Sequence, residues 1–194
     1  MHQFNNGPLY GEKTDEIIDY VFKDYHFEDT TLQYNYWVFN DHITIKNGSK
    51  EMKFIWIKNK HHNLPVTRIG ERAFENALVR WIILPKGLKH IDYCAFYNSK
   101  ELRSINLPNG LMSIGRSAFN GCEKLKKIKL PDTVKTIGVY AFKNITNIKI
   151  TIPKSVESIA DNAFEGCKNV EIFGVDGSFT QKYALHKGYK FYSI

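Results

Sequence analysis

The chain has 194 residues, 43% of them hydrophobic, enough for one domain with a real core, and its 27 Lys and Arg against 20 Asp and Glu give a net charge of +7. No apolar run approaches the roughly 18 residues of a membrane span, so insertion into a bilayer is not expected. The three cysteines, Cys94, Cys122 and Cys167, leave one unpaired in any disulfide scheme and contain no C-x-x-C pair, which argues against a disulfide framework.

The first segment, residues 1–33, opens on "MHQFNNGPLYGEK", which lacks the basic and then apolar pattern of a secretory signal. Unless a signal precedes Met1, a cytoplasmic location is expected. "TDEIIDYVFKDYHF" predicts a helix with Thr14 as N-cap, Asp15 and Glu16 in the first turn, and Ile17, Ile18, Val21, Phe22 and Tyr25 on one face. Such a helix either packs on the rest of the chain or docks a partner.

Residues 34–65 read as an N-terminal β cap. "HITIKNGSKEMKFIWI" alternates apolar and polar residues around Asn47-Gly48, a dipeptide that favours a hairpin turn. His61 and His62 in "NKHHN" are expected to be solvated, not metal ligands.

Residues 66–176 repeat themselves. "IGERAFEN" at 69–76 returns as "IDYCAFYNS" at 91–99, "IGRSAFNGC" at 114–122, "IGVYAFKNI" at 137–145 and "IADNAFEGC" at 159–167, and Pro85, Pro108, Pro131 and Pro153 keep the same beat. A period of 22 or 23 residues signals a solenoid. In "LKKIKLP", Leu125, Ile128 and Leu130 turn inward from a short strand, and the neighbouring unit supplies Leu102, Ile105 and Leu107. One strand per unit, stacked in register, predicts a parallel sheet, and the proline that follows cannot donate to the ladder and ends it.

The second wall is read from the I-G-x-x-A-F stretch. Ile114, Ala118 and Phe119 fall at i, i+4 and i+5, which predicts a short helical turn with its apolar side inward and a column of Phe74, Phe96, Phe119, Phe142 and Phe164. Two residues after each phenylalanine stands Asn or Gly, residue types that tolerate a left-handed backbone. Cys122 and Cys167 share a repeat position with Ser99, Ala77 and Ile145 and are therefore read as packing residues.

These L-x-x-I-x-L-P, I-G-x-x-A-F and [NG]-C elements, in five units, resemble the BspA-type leucine-rich repeat over residues 36 to 194. The resemblance implies a right-handed α/β solenoid used for binding, often as a cell-surface adhesin. At the far end, residues 177–194 form a helix–strand C-terminal cap: Ser178 and Gln181 have capping-box spacing, Gly188 can stop the helix, and "YKFYSI" returns as a strand.

No P-loop, dinucleotide fingerprint, G-x-S-x-G elbow or H-E-x-x-H motif is present, so no enzyme, cofactor or metal is expected. Period-2 alternation selects the outward sheet residues instead. They are Trp81 and Ile83, Ser104 and Asn106, Lys127 and Lys129, Lys149 and Thr151, and in the fifth unit Ile172 and Gly174, with Arg80, Arg103 and Lys126 alongside. The basic repeat region, with 17 Lys and Arg against 11 Asp and Glu over residues 66–177, suits an acidic protein partner, with nucleic acid less favoured, and the two functions expected are an adhesin-like surface module or, as the alternative, an intracellular inhibitor or effector. A monomer is expected.

Overall fold

The computed structural model describes residues 34–194; the helix expected within residues 14–25 lies outside them. In chain order the elements are β1 (Tyr34–Val38), β2 (Ile43–Gly48), β3 (Phe54–Trp56), β4 (Lys60–His61), β5 (Leu64–Ile69), β6 (Trp81–Ile83), β7 (His90–Ile91) and β8 (Ser104–Asn106). They continue with β9 (Ser113–Ile114), β10 (Lys127–Lys129), β11 (Thr136–Ile137), β12 (Asn147–Thr151), β13 (Ser158–Ile159), β14 (Asn169–Gly174), the helix α1 (Phe179–His186) and β15 (Lys190–Ser193).

Each unit therefore contributes two strands, not one. The longer strands run β3-β6-β8 and β10-β12-β14-β15, with β8 beside β10, and all of these pairs are parallel. After each proline a two-residue strand joins a second sheet in the order β2-β5-β7-β9-β11-β13, which carries the isoleucines Ile45, Ile69, Ile91, Ile114, Ile137 and Ile159 in mutual register. Two residues are too few to show alternation, so these strands leave no periodic signal in the sequence. The proline corner between the strands closes by a local bond: the N–H of Leu88 donates to the Pro85 carbonyl at 3.1 Å, and Val134 to Pro131 at 3.0 Å. Leu88, Leu111, Val134 and Val156 fill the corner from inside.

The third wall is not helical. In an α-helix each N–H would bond four residues back and every φ would be negative. Here Arg72, Cys94, Ser117 and Tyr140, each just before the alanine, have φ of 56°, 53°, 55° and 58°. Asn76, Asn98, Gly121, Asn144 and Gly166 are left-handed as well, as their residue types lead one to expect. Alternate N–H groups then point along the stack: Arg72 donates to the Tyr93 carbonyl at 3.0 Å, Phe74 to Ala95 at 2.7 Å and Asn76 to Tyr97 at 2.8 Å. The expected helical turns are thus three-residue turns tied coil to coil. The repeats form a β-solenoid, and among the described residues α1 is the one helix.

The phenylalanines do stack. Phe74, Phe96, Phe119, Phe142 and Phe164 lie nearly parallel with successive ring centroids 5.3, 5.3, 5.5 and 5.4 Å apart, all of them buried. Alanines 73, 95, 118, 141 and 163 are fully buried beside them. At the C-terminal end, Tyr189 meets Phe164 edge-on at 5.8 Å and Tyr183 lies 6.3 Å away on α1, whose first turn is capped by the Ser178 hydroxyl.

At the N-terminal end the column stops against Gly48. Sequence patterning expects a hairpin turn at Asn47-Gly48, but both residues lie within β2, and the hairpin is β1–β2, closed where the Phe39 N–H donates to His42 O at 2.9 Å. The glycine serves packing, because a Cβ on it would sit 1.7 Å from Phe74 Cε1. β3 then pairs in parallel with β6, so "FIW" at 54–56 is a strand of the stack and not the return arm of a hairpin.

Candidate binding face

On the outward side of the longer strands, register aligns side chains from coil to coil. One row runs Phe54, Trp81, Ser104 across β3, β6 and β8; a second, two residues on, runs Trp56, Ile83, Asn106. Beyond β8 the first row continues as Lys127, Lys149, Glu171, Lys190 and the second as Lys129, Thr151, Phe173, Tyr192. Between the rows, Ile55, Ile82, Ile105, Ile128, Ile150 and Ile172 point into the core. The face has an aromatic end at β3 and β6, a lysine-rich middle at β10 and β12, and a second aromatic pair, Phe173 stacked on Tyr192 at 4.9 Å.

The structure brings Lys127, Lys129 and Lys149 onto paired strands, with Thr151 opposite Lys129. Lys126 precedes them at the start of β10 and is exposed, as is Arg103. Carboxylates from adjacent coils temper the charge. Glu171 takes a hydrogen bond from Lys149 Nζ at 2.8 Å, which pushes the lysine pKa up. Arg80 is drawn toward Glu101, with Nε to Oε2 at 3.6 Å, and Lys124 reaches the same carboxylate; the Lys124 hydrogen bond, with the Arg80 charge adding to it, holds Glu101 below the usual carboxylate range.

The fifth unit corrects the sequence-derived face. Ile172 pairs with Ile150 and is fully buried, and Gly174 is buried too, so the outward residues there are Glu171 and Phe173. The cause is a one-residue difference in where the strand begins, and a slip of one residue exchanges the two faces of a strand. Phe54 and Trp56 were masked by their assignment to a hairpin; the signal that could have found them is Ile55, which takes the place of Ile82 one coil earlier.

The other chemistry-bearing residues are engaged structurally. Cys122 Sγ donates to the Phe96 carbonyl at 3.2 Å and Cys167 Sγ to Phe142 at 3.1 Å, as the Ser99 hydroxyl does to Phe74 at 2.6 Å. Burial pushes both thiols up, Cys122 most. His61 and His62 are not simply solvated: His61 Nε2 meets the Tyr34 hydroxyl at 3.0 Å, His62 Nε2 meets that of Tyr36 at 3.1 Å, and Tyr36 stacks on His61 at 4.5 Å. Among the described residues there is no group of three His, Cys, Asp or Glu placed to hold a metal ion, and no helix long and apolar enough to cross a membrane.

This geometry, with a 22-residue coil, an I-G-x-x-A-F wall and a stacked strand face, is matched by the family model of the BspA type leucine rich repeat region, in six copies over residues 47–171. The chain belongs to the BspA-type leucine-rich repeat family. The match begins within β2, so the repeat pattern reaches further toward the N-terminus than the five phenylalanine turns alone indicate. A leucine-rich repeat protein from Bacteroides ovatus is similar at 32% identity and TM-score 0.66 over 78% of this chain and 41% of its own, so this chain spans less than half of that protein's length. The T. pallidum leucine-rich repeat protein (20% identity, TM-score 0.51, 82% of this chain and 95% of that one) shares the fold. So does the pneumococcal vaccine antigen PcpA (18% identity, TM-score 0.58, 84% of this chain and 48% of that one). No curated protein matches.

Proposed function

We propose that this BspA-type repeat chain is a non-enzymatic protein-binding module that uses the outward face of its longer strands, and that it acts as an adhesin-like surface or secreted protein. The partner is an acidic protein. The observation that carries this reading is the register that sets Trp81 beside Phe54 and Ile83 beside Trp56 at one end of the face and Lys127, Lys129 and Lys149 together in its middle. The lysines steer an acidic partner over long range and the half-buried aromatic end supplies the short-range contact from which interfaces take much of their energy. Arg80, Arg103, Lys126, Ser104, Asn106 and Thr151 complete the face. The surface assignment follows from the use to which the family resemblance points.

Pull-down with the full chain identifies the partner, and binding kinetics then test the face. Lys127→Glu with Lys129→Glu slows association and flattens its dependence on salt, while Trp81→Ala mainly speeds dissociation. A partner that binds all of these variants as tightly as the parent chain sinks the proposal.

A further inference from the structure

At the edge where the chain enters β12, β14 and β15, a cleft of about 560 Å³ opens to solvent. Four lysines, Lys126, Lys149, Lys168 and Lys190, are among its lining residues, against one acidic residue, Glu171, already engaged with Lys149 at 2.8 Å. We infer that this cleft binds a sulfated polysaccharide.

The choice of ligand follows from what the cleft offers and what it withholds. Like charges gathered on neighbouring strands cost stability unless something compensates them, and one carboxylate against four ammonium groups leaves the cleft net positive. Its apolar lining residues, Ile148 and Val170, are buried, so no hydrophobic anchor is presented to an acidic peptide. Its aromatic residue, Tyr189, is packed edge-on against Phe164 at 5.8 Å and against Tyr183 at 6.2 Å, which leaves no open platform on which nucleic-acid bases could stack. What remains is point charge and amide. Asn169 Nδ2 donates to Asn147 Oδ1 at 2.6 Å along the cleft wall, fixing both amides with spare donor and acceptor capacity toward solvent. Ammonium groups paired with amides suit an ester sulfate flanked by hydroxyls, and the absence of arginine from the lining suits charge recognition without a bidentate fork. The cleft shares Lys126 and Lys149 with the face proposed for the protein partner but goes beyond that reading, since Lys168 lies outside both rows and Lys190 stands at the far end of the first, on β15.

The test is isothermal titration of the full chain with a heparin-derived hexasaccharide, its desulfated counterpart, a glutamate oligopeptide and a single-stranded oligonucleotide. The sulfated sugar is expected to bind at least roughly tenfold tighter than the other three. Lys168→Ala with Lys190→Ala is expected to weaken it roughly tenfold and to lower the slope of log affinity against log salt by about one to two, as loss of two ionic contacts should. Trp81→Ala leaves sugar binding unchanged, so loss of the protein-binding reading and loss of this one are told apart. Equal binding of the double variant, or of the desulfated sugar, the peptide or the oligonucleotide, overturns the inference. Because both lysines are at the surface, unchanged thermal midpoints check that the variant is folded, and perturbation of the Asn169 and Gly188 amide resonances on adding the hexasaccharide, or their silence, decides the location independently.

Discussion

Gly48 and Phe74 occupy the same volume in turn: a methyl group on Gly48 would fall 1.7 Å from Phe74 Cε1 and 2.1 Å from its Cδ1. The ring of the first phenylalanine in the column therefore lies flat against bare backbone, and the coil that contains Gly48 closes the stack without contributing a ring of its own. Because the neighbour is a ring held from the other side by Phe96 at 5.3 Å, it cannot swing away. Gly48→Ala should destabilise the fold by about 1–3 kcal/mol, the usual range for overpacking a filled core. Urea unfolding measures it, and adding Phe74→Leu should recover part of the loss; a neutral Gly48→Ala would mean that the column ends elsewhere.

Phe119 is stacked on both faces, on Phe96 at 5.3 Å and Phe142 at 5.5 Å, and is fully buried. Phe119→Ala is expected to cost about 3–5 kcal/mol, the range for truncating a large core aromatic. The measurement is the denaturation midpoint at constant slope. A loss under about 1 kcal/mol would be at odds with a continuous aromatic column.

The thiols should react in order of their burial. Cys122 is fully enclosed and Cys167 half-buried, and burial raises both, which disfavours the thiolate that does the reacting. Both should label slowly with a thiol reagent in the native state, Cys167 faster than Cys122, and both rapidly in denaturant. Cys122→Ser should stay within about 1 kcal/mol of the parent, since Ser99 makes the equivalent bond to a carbonyl one coil before; Cys122→Ala loses that bond. Rapid native labelling of Cys122 would contradict its place in the wall.

His90 gives the fold a pH dependence. Burial, with the Arg68 charge adding to it, holds its pKa below 6.5, and its Nδ1 lies 2.8 Å from the Ser113 hydroxyl. Below 6.5 the unfolded chain binds a proton that the folded chain resists, so the unfolded state holds more protons and stability falls as pH falls. The contribution is fully present above 6.5 and is lost on acidification through the unfolded value toward the depressed folded one. His90→Gln should flatten the stability profile between about pH 7 and 5, measured as thermal midpoints. An unchanged slope would assign that acid sensitivity to other groups.

Much of this architecture is written in the spacing. The four Ile-to-Ile steps, the four prolines and the five phenylalanines identify a coil of 22 or 23 residues and its aromatic column, because stacking identical units forces the same side chain to the same place in every turn. The left-handed Asn and Gly positions are equally legible, since those residue types tolerate the conformation. The two outward pairs on β10 and β12, Lys127 with Lys149 and Lys129 with Thr151, also follow from alternation. Surface ion pairs between coils are legible in the same way: Lys135 with Glu157 and Lys143 with Glu165 are each one period apart.

Other features came only from the neighbouring coil. Arg72, Cys94, Ser117 and Tyr140 have no side-chain preference for positive φ; each is held there because its N–H finds a carbonyl, or its turn a partner, in the next coil, a bond that no local pattern encodes and that repays a conformational cost of about 1–2 kcal/mol. Gly48 reads as a turn until the ring of Phe74, 26 residues on, is seen to occupy its side-chain space. The faces of Ile172 and Phe173 were decided by the pairing of β14 with β12, and the lysines at 126, 149, 168 and 190 line one cleft only because β10, β12, β14 and β15 stack side by side. Sequence specifies which backbone conformations a residue tolerates and how often a pattern returns; the choice among tolerated states belongs to hydrogen bonds and packing between residues one coil apart.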